Sequence, residues 1–264
     1  QPTNTSPWAL LWSDECNKDG AVDADKWNIE TWPARKVNNE DQTYTTRAKN
    51  LRIKDGLLVI EAHKEDYAGA KYSSARINSA GKMDILYGKL EVRARLPKGQ
   101  GTWPAIWMMP TDPFRYATNC GPSKVDWQGN GACDAWPNSG EIDVMEAVGY
   151  EENKFHGSVH TGAYNHGIGT QKTASVIKSE LDWHIFEIDW REDKILFAVN
   201  GEVFFTFAPD DVTNSAKWPF NQDFHLILNI AVGGMWGSVQ GVDAEAFEGD
   251  GQYMEVDYVR VYSS

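Results

Sequence analysis

Alternation of apolar and polar side chains recurs along this chain and points to β-structure. In Lys89 to Leu96 (KLEVRARL), Leu90, Val92, Ala94 and Leu96 fall on one face, the period of a half-buried strand. His184 to Trp190 (HIFEIDW) alternates in the same way. Asp55-Gly56 sits between LRIK and LLVIEAHK, and Asn200-Gly201 between ILFAV and EVFFTF; both are tight-hairpin signals. Trp8 to Glu15, Lys26 to Trp32, Tyr44 to Lys54, a run opening at Arg76, Thr102 to Met109, Phe155 to Thr161, Phe224 to Val232 and Tyr253 to Tyr262 are further strand candidates. Residues 111–139 and the stretch from 162 to 179 are polar and irregular and read as loops, and long loops inside a compact domain usually carry function. With about thirteen or fourteen strands, no long amphipathic helix and no internal repeat or linker, the pattern predicts a two-sheet antiparallel sandwich with one core. Residues 1–264 are expected to form a single domain, with residues 1–6 as a flexible tail.

Within this pattern, Gly140-Glu141-Ile142-Asp143-Val144-Met145-Glu146-Ala147-Val148-Gly149 sets three carboxylates into an apolar, β-prone run. In a flat strand Glu141, Asp143 and Met145 share a face and Glu146 lies on the other. A β-bulge at Val144-Met145 would turn Glu146 back beside its partners. The glutamates would then be roughly 13 Å apart at Cα, and long side chains leaning inward can bring their carboxyl groups to about 5–5.5 Å, the separation of retaining glycosidases. An edge strand with solvated acids is the bland alternative. Mutual repulsion argues against it, because a fold tolerates clustered acids mainly where the repulsion is useful.

The net charge of −13 disfavours nucleic acid, anionic membrane surfaces and heavily sulfated polymers. No apolar run is long enough to cross a bilayer. The tail starting at Gln1 reads as that of a processed or trimmed mature chain, a secreted location is expected, and Asn4-Thr5-Ser6 is a glycosylation sequon. Cys120 and Cys133 bracket a Gly/Pro/Asn-rich loop, where either a stapling disulfide or two buried thiols would fit; Cys16 is left over. Twelve tryptophans exceed what a core needs, so about half are expected to pack inside and the rest to offer flat surfaces for ligands.

The acid decamer resembles the active-site strand of glycoside hydrolase family 16 in its bulged Glu-x-Asp-x-x-Glu form. The likeness extends over nearly the whole chain: Tyr87 to Arg95, Gly101 to Met108, Asp182 to Trp190, Leu228 to Gly237, Asp257 to Tyr262, and Asn39-Glu40 with Gln42 and Tyr44. Among the bulged subgroups these segments are similar to laminarinase-type endo-β-1,3-glucanases; agarases, κ-carrageenases and a non-catalytic β-glucan-binding module are the alternatives. The resemblance implies an all-β jelly-roll sandwich of concanavalin A type with a concave substrate groove. It implies Glu141 as nucleophile, Glu146 as general acid/base and Asp143 as the acid that hydrogen-bonds Glu141. Substrate-binding candidates are Trp103, Trp107, Trp136 and Trp236 as sugar platforms, with His160, Asn39 and Arg76 as polar clamps. A structural Ca2+ held by Glu15, the Gly56 carbonyl and Asp257 is implied on the convex side, with no cofactor for catalysis. The chain is expected to act as a monomer on a β-glucan, with mixed-linkage glucan as a second substrate class.

Overall fold

The computed structural model describes residues 7–121 and 126–263, so the sequon, the first six residues and Lys124 lie outside the described residues. The strands, in order, are β1 (Ala9–Asp14), β2 (Asn28–Glu30), β3 (Gln42–Tyr44), β4 (Leu51–Lys54), β5 (Leu57–Tyr67), β6 (Ala70–Ser74), β7 (Arg76–Asn78), β8 (Asp84–Ile85) and β9 (Gly88–Arg95). They continue as β10 (Thr102–Pro110), β11 (Glu141–Glu146), β12 (Lys154–His160), β13 (Lys172–Ile177), β14 (Trp183–Trp190), β15 (Ile195–Val199), β16 (Glu202–Phe207), β17 (Phe224–Val232) and β18 (Gln252–Ser263). The helical pieces among the described residues are single turns, such as α1 (Ala135–Asn138) and α2 (Gly234–Gly237). None is long and apolar enough to cross a membrane.

The strands form two sheets. One runs β16-β15-β14-β9-β18-β5-β6-β3, with β1 on β18 and β4 on β5; the other runs β13-β12-β11-β10-β17-β7-β2, with β8 on β17. Pairing is antiparallel except between β3 and β6. The predicted alternation in β9 holds, since Leu90, Val92 and Ala94 are fully buried, and both tight turns join adjacent antiparallel strands. Two expectations need correction. Residues 45–50 form a turn that divides β3 from β4, because Asn50 is buried and bonds Thr45, Ser73 and the Glu61 carbonyl, locking the chain out of extension. Part of the expected second loop is instead β13, an edge strand on β12. One face of it is open to solvent, so its sequence carries little apolar signal.

The core lies between the sheets and is built around aromatic rings. Phe155 and Phe186 pack edge to face at 5.0 Å, as do Trp190 and Phe224 at 5.4 Å and Trp218 and Phe220 at 5.2 Å. Only Trp27, Trp190 and Trp218 are fully buried tryptophans, fewer than the half expected from composition, and six others line the groove described below. The long loop carries a disulfide between Cys120 and Cys133, and Cys16 is a buried free thiol. Phe186 on β14 is completely buried, so Phe186→Ala should destabilise the fold by about 3–5 kcal/mol, read as a lowered midpoint in urea unfolding.

Candidate active site

The bulge expected in β11 is present. Opposite β10, Ile106 pairs with Met145 but Trp107 pairs with Asp143, so Val144 is the extra residue. Opposite β12, Asp143 pairs with Ser158 and Glu146 with His156, so two residues on one strand, Val144 and Met145, stand opposite one on the other, Gly157. The apolar members Ile142, Val144 and Met145 are all buried in the core. That burial drives the bulge: it keeps the apolar side chains inside while Glu141, Asp143 and Glu146 face outward together. Gly140, just before the strand, has φ +94°, and a Cβ there would lie 2.8–3.2 Å from Pro219, Phe220 and Phe224. The tight approach of that turn to the core requires glycine.

The acids open into a groove of about 880 Å³ that crosses the strands of the second sheet. Its floor is formed by alternate residues of successive strands: Ser158 and His160 from β12, Glu141 and Glu146 from β11, Trp103, Ala105 and Trp107 from β10, Asn229 and Ala231 from β17, and Arg76 from β7. Each glutamate receives an indole hydrogen bond. Trp136 Nε1 donates to Glu141 Oε1 at 3.1 Å, and Trp103 Nε1 donates to Glu146 Oε1 at 3.1 Å. Asp143 is 1 % exposed between them. His160 Nε2 is 3.1 Å from Asp143 Oδ2 and 3.4 Å from Glu141 Oε2.

Burial is the largest influence on all three acids, and it raises each above the usual carboxylate range. Glu141 is pushed further up by Asp143, while His160 and the Trp136 N–H oppose the rise. Asp143 is pushed up by burial and then by Glu146. Glu146 is raised to about 8 by burial and then by the charge of Glu141, against the Trp103 hydrogen bond. Such a cluster cannot ionise completely near neutral pH and titrates as a unit. Glu141, which has both an indole donor and the His160 ring beside it, is best placed to hold the negative charge. Asp143, the most buried, is best placed to keep a proton.

Trp103, Trp107, Trp136, Trp236, His160 and Arg76 all line the groove. Trp107 is fixed by Nε1 donating to Asn229 Oδ1 at 2.8 Å, and Asn229 Nδ2 donates to the Tyr44 hydroxyl at 3.1 Å. Trp236 meets Trp103 edge to face at 5.8 Å. Arg76 is held by Glu30 at 2.6 Å and lies over the rings of Trp32 and Trp107, at 4.1 and 4.9 Å. Asn39 is the exception: its side chain accepts from Arg35 at 3.3 Å and is not part of the lining, whereas Asn38 is. Asn38 and Asn39 both have positive φ. Two consecutive left-handed residues make a tight turn, and in an Asn-Asn pair the sequence does not reveal which one faces inward. Sequence reasoning also missed Trp32 and Trp127 in the lining; Trp127 stands in a loop, where a tryptophan with no strand face to bury is the signal that could have found it, whereas Trp32 follows β2 and pairs in a single bridge with Tyr44. The donor role of Trp103 and Trp136 had no sequence signature.

Glu15, Gly56 and Asp257 belong to neighbouring stretches of the other sheet, where Val259 pairs with Asp14 and Val256 with Leu58. Both carboxylates there are engaged, Glu15 by Arg260 through two hydrogen bonds and Asp257 by Arg93 at 2.9 Å.

A profile of Glycosyl hydrolases family 16 matches residues 38–260. A curated relative, "Beta-glucanase" of Rhodothermus marinus, is 44% identical over 97% of this chain and 85% of its own length. The laminarinase structure from Rhodothermus marinus superposes with a TM-score of 0.84 at 43% identity, covering 97% of each chain. A mutant of a non-specific endo-β-1,3(4)-glucanase, with 1,3-β-D-cellobiosyl-glucose at its active site, gives a TM-score of 0.86 at 41% identity over 98% of this chain and 96% of that one.

Removing the indole donor from Glu146 removes an interaction that favours its ionised form. Trp103→Phe should therefore shift the alkaline limb of kcat/KM from about pH 8 to higher pH, measured as a pH–rate profile on a soluble glucan.

Proposed function

The chain belongs to glycoside hydrolase family 16, and from that premise we propose that it is a retaining endo-hydrolase of β-1,3-glucans, with mixed-linkage β-1,3-1,4-glucan as a second substrate class. The observation that carries this reading is the bulge that places Glu141 and Glu146 on one groove face, each oriented by its own indole N–H. In the first step, ionised Glu141 attacks the anomeric carbon while protonated Glu146 gives its proton to the departing glycosidic oxygen. Glu146, now a carboxylate, takes a proton from water as that water displaces Glu141 from the anomeric carbon. Two inversions give net retention. A sugar hydroxyl in place of the water gives transglycosylation.

The proton requirement matches the electrostatics, since an acid near pKa 8 is protonated in the resting enzyme. Departure of its proton leaves a charge beside Glu141 just as Glu141 loses its own to the covalent bond, so repulsion is relieved in step with the chemistry. Asp143 and His160 act on Glu141, through which they influence its charge and rotamer. The groove's tryptophans supply flat apolar faces for sugar rings.

Sulfated galactans fit less well, because the lysine and the arginine of the lining are already neutralised, Arg76 by Glu30 and Lys36 by Asp126. A non-catalytic glucan-binding module has no use for two glutamates at this spacing. We further propose that the protein is secreted, which the Cys120–Cys133 disulfide supports, and that it acts as a monomer.

A Ca2+ at Glu15, Gly56 and Asp257 is also proposed. Oxygen donors suit that ion, and Glu15, the Gly56 carbonyl and Asp257 would hold it once Arg260 and Arg93, which now occupy the two carboxylates, give way. Chelation should lower the unfolding temperature and added Ca2+ restore it; an unchanged melting curve would exclude the site.

Product analysis tests the activity. Wild type should release short β-1,3-oligosaccharides rapidly from laminarin and act more slowly on agarose and κ-carrageenan, and Glu141→Ser should lose cleavage while still binding laminarin. Preferred cleavage of agarose or carrageenan would replace the substrate. Binding without cleavage by wild type would replace the enzyme with a recognition module.

A further inference from the structure

The groove is crossed by a bridge on the Arg76 side of the acids. β10 and β17 run antiparallel, with Pro110 opposite Phe224 at one end and Thr102 opposite Val232 at the other. The loop of residues 111–139 leaves β10 at the Pro110 end. The segment 35–40 sits at the opposite end: Asp41 N donates to the Val232 carbonyl, Glu40 bridges to Gly233, and Met235 N donates to the Asn38 carbonyl. These two segments belong to opposite banks of the groove, yet they touch. Lys36 Nζ is 2.8 Å from Asp126 Oδ1. Gly129 lies so close to the other bank that a Cβ on it would come within 2.4 Å of the Lys36 carbonyl oxygen and 3.6 Å of Val37 Cγ1. Lys36, Val37 and Asn38 line the same cavity as Trp127, Gly129 and Gly131.

We propose, resting on the glucanase reading above, that residues 126–131 seated on residues 36–38 form a span over this arm of the groove and select an unsubstituted stretch of glucan beneath it. The floor under the span is Trp107, Asn229 and Arg76, with the Trp32 ring against the Arg76 guanidinium. A sugar lying there has an aromatic and guanidinium floor below and main chain above. A β-1,6-linked glucosyl branch on that sugar would have to occupy the space taken by Gly129 and the Lys36 carbonyl. The closeness of the banks depends on residue 129 having no side chain, and its φ of +77° suits glycine as well.

The test compares kcat/KM on a linear β-1,3-gluco-oligosaccharide with that on the same backbone bearing single β-1,6-linked glucosyl branches. Wild type, Asp126→Ala and Gly129→Val are assayed in parallel, with melting curves to confirm that each is folded. Wild type should prefer the linear substrate by about tenfold or more, and both variants should narrow that ratio mainly by gaining on the branched one. Equal efficiency of wild type on the two glucans overturns the span, as does a preference that both folded variants keep intact. A wild type that cleaves neither glucan overturns the function proposed above, a result distinct from either of those.

Discussion

Mutual repulsion among three carboxylates on one short strand is the constraint around which the molecule is arranged. An isolated strand could escape it by exposing its acids to water or rotating one to the far face. Neither route is open in β11, because Ile142, Val144 and Met145 are locked in the core and hold the bulge between Ile106–Met145 and Trp107–Asp143. The cluster is retained in a largely desolvated setting, where some of the acids must keep protons. Folding therefore favours the protonated form of Glu146. Its unfolded counterpart ionises near 4.5, while the folded group ionises near 8, so this residue's contribution to stability is complete at acid pH and is lost as pH climbs through that window. Such a cost is the usual mark of a site organised for chemistry rather than for stability.

The surrounding side chains distribute the charge among the three acids. Trp136 and Trp103 each aim an N–H at one glutamate, and His160 reaches both Glu141 and Asp143. The same indoles also line the groove, so one residue type orients the acids and, in the proposed function, receives the sugar. Trp107 is held in a chain through Asn229 to Tyr44, which ties the groove floor to β3 on the other sheet.

Much of this was legible before any coordinates. Period-two alternation in β9 and β14 and the Asp55-Gly56 and Asn200-Gly201 turns define antiparallel strands by local geometry alone. The bulge was legible because Glu146 is on the wrong face of a flat strand and only one extra residue corrects it. Most of the features that escaped have non-local causes. β13 is an edge strand whose partner supplies its order, and residues 45–50 are bent by Asn50 bonding to strands distant in sequence. Whether Asn38 or Asn39 faces the groove depends on a pair of left-handed residues. The indole donors depend on rotamers set by neighbouring strands, and the contact of Gly129 with Lys36 joins loops far apart in the chain.

The most direct test of the central claim is a site-resolved titration of the Glu146 carboxyl by carbon-13 NMR, in wild type and in Glu141→Gln. Glu146 should titrate near 8 in wild type and lower once the neighbouring charge is removed, with burial keeping it above the ordinary range. A Glu146 that titrates near 4.5 in both proteins would contradict the account, because the acids would then be solvated and independent.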